Sequence, residues 1–314
     1  MLEFYKTTEA GDTRAISEPE RGCWINAVAP SKEERNYLIE SIGVLPEFVK
    51  SSLDEEESSH IDYDDDVDQT LVIVDYPKED PDSTDRELPA YITAPIGVVL
   101  LKGYIVTICL HENSNIKDLR DGQVRSIDTR LKTRFLLQLL LRISQRYLFY
   151  LRQIDRLSSR TERRLYRSME NKELLGMLEL EKSLVYFSTS LKSDEMVLQK
   201  IMRARQIKLY EEDEDLLEDV MIEVRQAAEM CEIIQNIISN TMDGFSNVIS
   251  NNMNIIMKEL TVITIVMSIP NMIYGFYGMN VSGLPLPYSW FPLVLSVLCC
   301  VLAWYYFKNK SSFH

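Results

Sequence analysis

From Leu260 to Phe307 the chain runs through 48 residues without one Asp, Glu, Lys or Arg, whereas charged and apolar positions interleave throughout the sequence before it. A membrane-spanning helix needs roughly 20 apolar residues. The run therefore predicts two spans, Leu260 to Met279 and Leu286 to Phe307, with Asn280 to Pro285 as the turn between them. Upstream, Leu136, Leu140, Ile143, Tyr147, Tyr150, Ile154 and Leu157 step by three or four and mark the buried face of a helix that opens near Thr129. A second helix is expected from Lys172 to Lys208, and the acidic cluster Glu211 to Asp215 reads as a solvated reversal after it. From Leu216 to the start of the uncharged run only Gly244 weakens the helical pattern, at about 1 kcal/mol. One helix of 65 residues, Leu216 to Asn280, is predicted, roughly 100 Å long at 1.5 Å per residue.

The early part of the chain is punctuated differently. No proline occurs between Pro95 and Pro270, whereas Pro19, Pro30, Pro46, Pro77, Pro81 and Pro89 precede Pro95. Ser31-Lys32-Glu33-Glu34 reads as a capping box that opens a helix to about Ile42, stopped by Gly43 and followed by Pro46. Ile96 to Leu101 and Tyr104 to Leu110 are runs rich in β-branched residues around Lys102-Gly103, a two-residue hairpin signal. With Leu71 to Val74 and Tyr91 to Thr93 they predict a small mixed sheet flanked by helices. The expected organisation is an α+β membrane protein: an α/β domain over 1–128, a long-helix stalk over 129–258 and a hairpin over 259–310.

A formal net charge of −14 argues against nucleic acid, and against an anionic lipid surface as the main partner of the part outside the membrane, while suiting cations. The first thirty residues lack the basic start and apolar core of a secretory signal, so the N-terminal part is expected in the cytoplasm. Lys258, Lys308 and Lys310 flank the spans and the turn has no positive charge, which places both termini inside a multi-pass plasma-membrane protein. Cys23, Cys109, Cys231, Cys299 and Cys300 form no C-x-x-C, and Cys299-Cys300 reads as small apolar filler in the second span. His60, His111 and His314 are scattered, and no nucleotide-binding or hydrolase motif is present, so an enzyme is not expected.

A heptad walk down the long helix visits Asp243, Asn247, Ser250, Asn254, Met257, Thr261, Thr264, Ser268, Asn271, Gly275 and Gly278, and only Met257 on this line is neither polar nor glycine. Thr264, Ser268 and Asn271 against lipid are costly, so the line is expected to face a bundle interior or water. Small and hydroxyl residues also serve tight helix packing. The pore reading is favoured by Asn254 and Asn271 on the same line as Asp243, whose charge selects for cations. Met257 would be an apolar narrowing in a polar tube, which is how a dewetting gate is built.

Tyr277-Gly278-Met279-Asn280 at the end of the first of two C-terminal spans, with Lys308-Asn309-Lys310 after the second, resembles the signature of the CorA family of divalent-cation channels. Trp24-Ile25-Asn26, the Gly43 to Pro46 junction, Asp54 to Glu57 and Asp62 to Asp65 extend the resemblance over most of the chain. It implies a funnel-shaped homopentamer passing Mg2+, with cobalt or nickel as further ions, and Mg2+ as a regulatory ion too. Gly278, Met279 and Asn280 would form the selectivity filter, Asn280 carbonyls accepting hydrogen bonds from the waters that Mg2+ sheds reluctantly. Carried over by position, Asp243 is a pore-ring acid, Asn254 a polar ring, and Met257 with Leu260 the constriction; Leu260 is one residue off the heptad line, beside Thr261.

The chain departs from that pattern in three places. Val281 to Ser289 has no acid at the outer mouth, Pro270 sits one position later than expected, and the acidic pair that should oppose the sensing aspartate, Asp219, falls on Lys50-Ser51, leaving Asp54 as a substitute ligand. A zinc transporter of the same superfamily and a non-transporting membrane-anchored coiled-coil scaffold are the alternatives. The absence of His and Cys from the polar line favours a hard ion over zinc, and Asn271 inside a span argues against a mere anchor.

Overall fold

The computed structural model describes residues 1–311 apart from 10, 84–88, 123–126, 169–170, 204–206, 208–209, 280–287 and 289. It comprises two compact units, Met1–Thr241 and Met242–His314.

The first unit is built on a mixed sheet of β1 (Leu2–Thr7), β2 (Thr13–Ile16), β3 (Cys23–Val28), β4 (His60–Asp64), β5 (Gln69–Glu79), β6 (Tyr91–Leu101) and β7 (Tyr104–Cys109). Their spatial order is β2-β1-β3-β7-β6-β5-β4. Strands β3 and β7 run parallel, in register from Cys23 opposite Tyr104 to Val28 opposite Cys109. The other neighbours are antiparallel. The predicted hairpin is the β6–β7 turn, where Gly103 takes φ 101°, a conformation that costs glycine little.

Helix α1 (Lys32–Tyr37) starts on the expected capping box: the Glu34 N–H donates to Ser31 Oγ at 3.2 Å, and the Ser31 N–H to Glu34 Oε2 at 2.8 Å. The helix widens to π geometry over Leu38–Ile42 and stops at Gly43 with φ 86°. Helix α2 (Pro46–Ser51) follows with proline in its first turn. From these helices and the connection between them, Leu38, Val44, Phe48 and Val49 bury one sheet face, against Ile25, Ile73, Val99 and Val106 among others. Gly97 on β6 permits this approach, because a Cβ there would stand 1.9 Å from Ser52 Oγ.

On the other face lie α4 (Lys132–Ser168) and α5 (Asn171–Arg203), with the short α3 (Ser114–Arg120) packed on α4. Trp24 packs between Tyr5 and Phe135, its ring tilted to both, at 4.9 and 5.1 Å between ring centroids. Its indole N–H donates to Thr107 Oγ1 at 2.9 Å, and the Thr107 hydroxyl donates to Asn26 Oδ1 at 3.0 Å, so these interior polar groups are satisfied. Of the predicted α4 face, Leu136, Leu140, Ile143, Tyr147 and Ile154 are buried, and Tyr150 and Leu157 half-buried.

The acidic cluster is not a reversal. Helix α6 (Glu211–Tyr277) begins within it. Asp213 accepts the Tyr210 N–H at 3.2 Å, and carboxylates in a first helical turn are favoured by the macrodipole. The predicted second helix is α5, described to Arg203; its expected end, Lys208, lies outside the described residues.

The second unit contains the C-terminal part of α6 and α7 (Phe291–Ser311). Both helices are long and apolar enough to cross a membrane. They run antiparallel: Tyr277 meets Phe291 at 6.1 Å between centroids, Tyr274 Oη lies 3.4 Å from Ser296 Oγ, and Val266 O lies 3.5 Å from Cys300 Sγ. Helix α7 starts five residues after the Leu286 expected from composition, with Pro292 in its first turn, where a missing N–H costs nothing. Leu286 and the predicted turn from Asn280 to Pro285 lie outside the described residues.

Candidate ion-conduction site

Helix α6 carries the whole polar line up to Gly275 without interruption, and Gly278 and Met279 follow its last turn. Asp243, Asn247, Ser250, Asn254, Met257, Leu260, Thr261, Thr264, Ser268, Asn271, Gly275, Gly278 and Met279 are all exposed in the single chain. The half-buried positions of the span are Val262, Val266, Ile269, Pro270, Ile273 and Tyr277. Val266 stands two residues from both Thr264 and Ser268, which at 3.6 residues per turn is roughly 160° around the axis. The half-buried residues and the polar line thus occupy opposite faces of the helix, while Tyr274, four residues before Gly278, reaches Ser296 of α7 from the flank of the polar line.

The hydroxyls on this line have a defined orientation. Thr261 donates to Met257 O at 2.7 Å, Thr264 to Leu260 O at 2.8 Å and Ser268 to Thr264 O at 2.8 Å. Each proton is engaged by the helix itself, so what each oxygen offers outward is lone pairs. A column of acceptors suits a cation or the hydrogens of its water shell. Asn271, one turn beyond Ser268, has no hydrogen-bond partner among the described residues.

Pro270 interrupts the helical ladder inside this stretch, because it has no N–H for the carbonyl four residues back. That carbonyl is Val266 O, and Cys300 Sγ of α7 sits 3.5 Å from it. Cys300, read from sequence as filler, supplies a weak donor where the proline removes one. The spacing Val266 to Pro270 was visible in the sequence, but the cysteine that answers it required the hairpin packing.

The glycines divide. A Cβ on Gly278 would lie 3.1 Å from Tyr274 O, in the last turn of α6, whereas one on Gly275 meets nothing within 4 Å. Gly275 is therefore open to close approach from outside the chain. The filter residue expected from the motif, Asn280, lies outside the described residues; Met279 before it is 56% exposed.

The residues expected to sense Mg2+ are on the first unit. Asp219 is exposed on α6. Asp54 is exposed after α2, where its Oδ1 accepts the Glu56 N–H at 3.1 Å. Lys50 is exposed on α2 and Ser51 half-buried. Among the described residues no group of three His, Cys, Asp or Glu side chains is assembled to hold a metal, so neither Asp219 nor Asp54 is part of a complete site within one chain.

A relative described as cobalt/magnesium transport protein CorA, from Methanocaldococcus jannaschii, is 29% identical over 299 residues, covering 93% of this chain and 92% of the relative. The complete structure of CorA magnesium transporter from the same organism shares the fold at a TM-score of 0.82 and 24% identity, over 99% of this chain and 96% of that one. The full-length CmaX protein shares it at 0.72 and 17% identity, over 98% and 96%. A family model described as CorA-like Mg2+ transporter protein matches residues 19–309, from before β3 into the last turn of α7, and the chain belongs to that family.

Proposed function

We propose that the chain is the subunit of a homopentameric plasma-membrane channel that passes hydrated Mg2+, with cobalt or nickel as further ions. Residues 1–128 and the long helices over 129–258 lie in the cytoplasm with both termini, and 259–310 cross the bilayer. The observation that carries this reading is the column of outward-facing acceptors from Thr261 to Asn271, opposite the face that meets α7. Around a symmetry axis that column lines a path of oxygen donors, the ligand type preferred by a hard, strongly hydrated ion. Gly275, with open space where a Cβ would be, lets neighbouring copies approach closely near the filter. Asp243 gathers cations at the inner entrance, Met257 with Leu260 forms the apolar constriction, and five Asn280 amide oxygens hold the hydrated ion at the outer mouth. The name cobalt/magnesium transport protein carried by the relative supports the same ion class.

Closure by internal Mg2+ is weaker here than in relatives with an acidic pair opposite Asp219. Lys50 supplies an ammonium that pairs with Asp219 across the subunit interface without an ion, an exposed contact worth about 0 to 1 kcal/mol. Asp54 is the remaining acid available for a regulatory ion.

The test is ion flux into liposomes containing the purified protein and a Mg2+-sensitive dye, repeated with zinc and a proton gradient. Mg2+ entry without a proton gradient is the expected result. Zinc entry coupled to protons, with no Mg2+ entry, identifies the zinc transporter instead, and no flux of either ion identifies a scaffold.

A further inference from the structure

Within the hairpin unit, α6 and the end of α7 border an open cavity of about 730 Å³. Val262, Val266 and Met267 of α6 line it with Phe307 of α7. Lys258 and Lys308 stand together at one end, and Glu259 shares that rim. Lys308 Nζ lies 4.8 Å from the ring centroid of Trp304, which also lines the cavity. The lining of α6 runs from Ile255 to Met267, and from Lys258 to Met267 the slot extends nine residues, roughly 13 Å along the helix. Its charges, Lys258, Glu259 and Lys308, lie toward one end, with only Ile255 beyond them on that side, and the lining from Val262 to Met267 is apolar.

That order, a cationic end followed by an apolar slot, is the order of an anionic phospholipid read from headgroup to acyl chain. Among the described residues neither lysine is paired with a carboxylate. The rim holds two lysines against one glutamate, an excess of positive charge at the level where the flanking lysines place the membrane surface. Trp304 is of the residue type that favours this level, its ring amphipathic and its face holding the Lys308 ammonium. A second copy of the chain in this slot would have to bring carboxylates to both lysines, whereas a phosphodiester brings the charge at the required depth.

We infer that the cavity between α6 and α7 is a binding site for an anionic phospholipid, its headgroup held by Lys258 and Lys308 and one acyl chain lying along Val266 and Met267. The inference rests on the hairpin spanning the membrane and goes beyond the ion path: Val262 and Val266 of the slot lie on the face of α6 away from the polar line, and Met267 marks its edge toward that line.

The test uses the full-length protein in nanodiscs containing phospholipids brominated on their acyl chains. Bromine quenches indole fluorescence on contact, and the share due to Trp304 is obtained by comparison with Trp304→Phe. Brominated phosphatidylglycerol is expected to quench Trp304 at a mole fraction at least threefold lower than brominated phosphatidylcholine. Lys258→Gln with Lys308→Gln is expected to abolish that preference, while 10 mM inorganic phosphate leaves it intact. Equal quenching by the two lipids in the wild-type protein overturns the site, and so does a preference that survives in the double variant. Quenching of Trp290 with none of Trp304 overturns it too, and shows the slot covered by a second copy. Displacement by inorganic phosphate overturns the lipid as ligand. No quenching of either Trp290 or Trp304 by any lipid instead removes the membrane-spanning reading on which the inference rests.

Discussion

Cys300 Sγ lies 3.5 Å from Val266 O, the carbonyl that Pro270 leaves without its helical donor. The thiol is a weak donor, but a carbonyl in hydrocarbon has no water to turn to. Cys300→Val should lower stability by about 1 kcal/mol, toward the low end of the cost of an unsatisfied buried acceptor. Cys300→Ser, which retains a stronger donor on a shorter arm, should lose less than Cys300→Val. Thermal unfolding in detergent checks both; equal losses for valine and serine would show that shape rather than the hydrogen bond matters.

A Cβ on Gly97 would stand 1.9 Å from Ser52 Oγ and 2.5 Å from Ser52 Cβ. Gly97→Ala should therefore push α2 off the sheet and destabilise the first unit by about 3 kcal/mol, the upper end of overpacking costs. Adding Ser52→Gly removes both clashing atoms and should restore part of the loss. A double variant no more stable than Gly97→Ala would place the strain elsewhere.

Two carboxyl groups meet between β5 and α5. The Asp75 N–H donates to Asp194 Oδ1 at 3.1 Å, and Ser190 Oγ donates to Asp75 Oδ2. Burial pushes the Asp194 carboxyl well above the usual range, with the neighbouring Asp75 carboxyl adding to the rise. Burial raises Asp75 as well. Because the folded state holds a proton that the unfolded state releases, the stability present below the ordinary carboxylate pKa is lost as pH rises through the folded value. Asp194→Asn keeps the acceptor and cannot ionise. Its stability relative to wild type should increase with pH, by about 1.4 kcal/mol per unit until the folded pKa is passed. Melting curves at pH 5 and pH 8 test this; the same difference at both would show that Asp194 does not titrate abnormally.

Met257 interrupts a line of polar and glycine positions and is 52% exposed in the single chain. If it narrows an aqueous path, Met257→Gly lowers the cost of wetting it. Basal Mg2+ flux should then rise severalfold in the liposome assay. Unchanged or reduced flux in folded protein would remove Met257 as a gate.

Local features of the sequence proved the most legible. The absence of charge predicts the hairpin, the 3.6-residue period predicts α4 and α6, and the capping box at Ser31 and the turn at Lys102-Gly103 sit where their residues place them. The mixed sheet was expected from parts of β5 and β6 with β7, but β1 to β4 were not. The edge strand Thr13–Ile16 is short and half exposed, with little apolar alternation to read. The parallel pairing of β3 with β7 joins Asn26 to Thr107 across 81 residues, and no local pattern carries such a contact. The acidic run at the start of α6 misled because the same residues suit a solvated loop and a first helical turn. At the candidate site the polar line was readable as a period, whereas its position opposite α7, the orientation of its hydroxyls and the answer of Cys300 to Pro270 depend on packing.

Mg2+ entry into dye-loaded liposomes, measured side by side for the wild-type protein and Asn280→Ala, tests the central claim most directly. Asn280 supplies the only side-chain amide of the Tyr277-Gly278-Met279-Asn280 motif, and alanine leaves a methyl where the proposed filter requires an acceptor. The wild type should admit Mg2+, and the variant, with its oligomer intact by size-exclusion chromatography, should lose that flux by at least tenfold. Wild-type flux through Asn280→Ala, or no Mg2+ flux through the wild type, would contradict it.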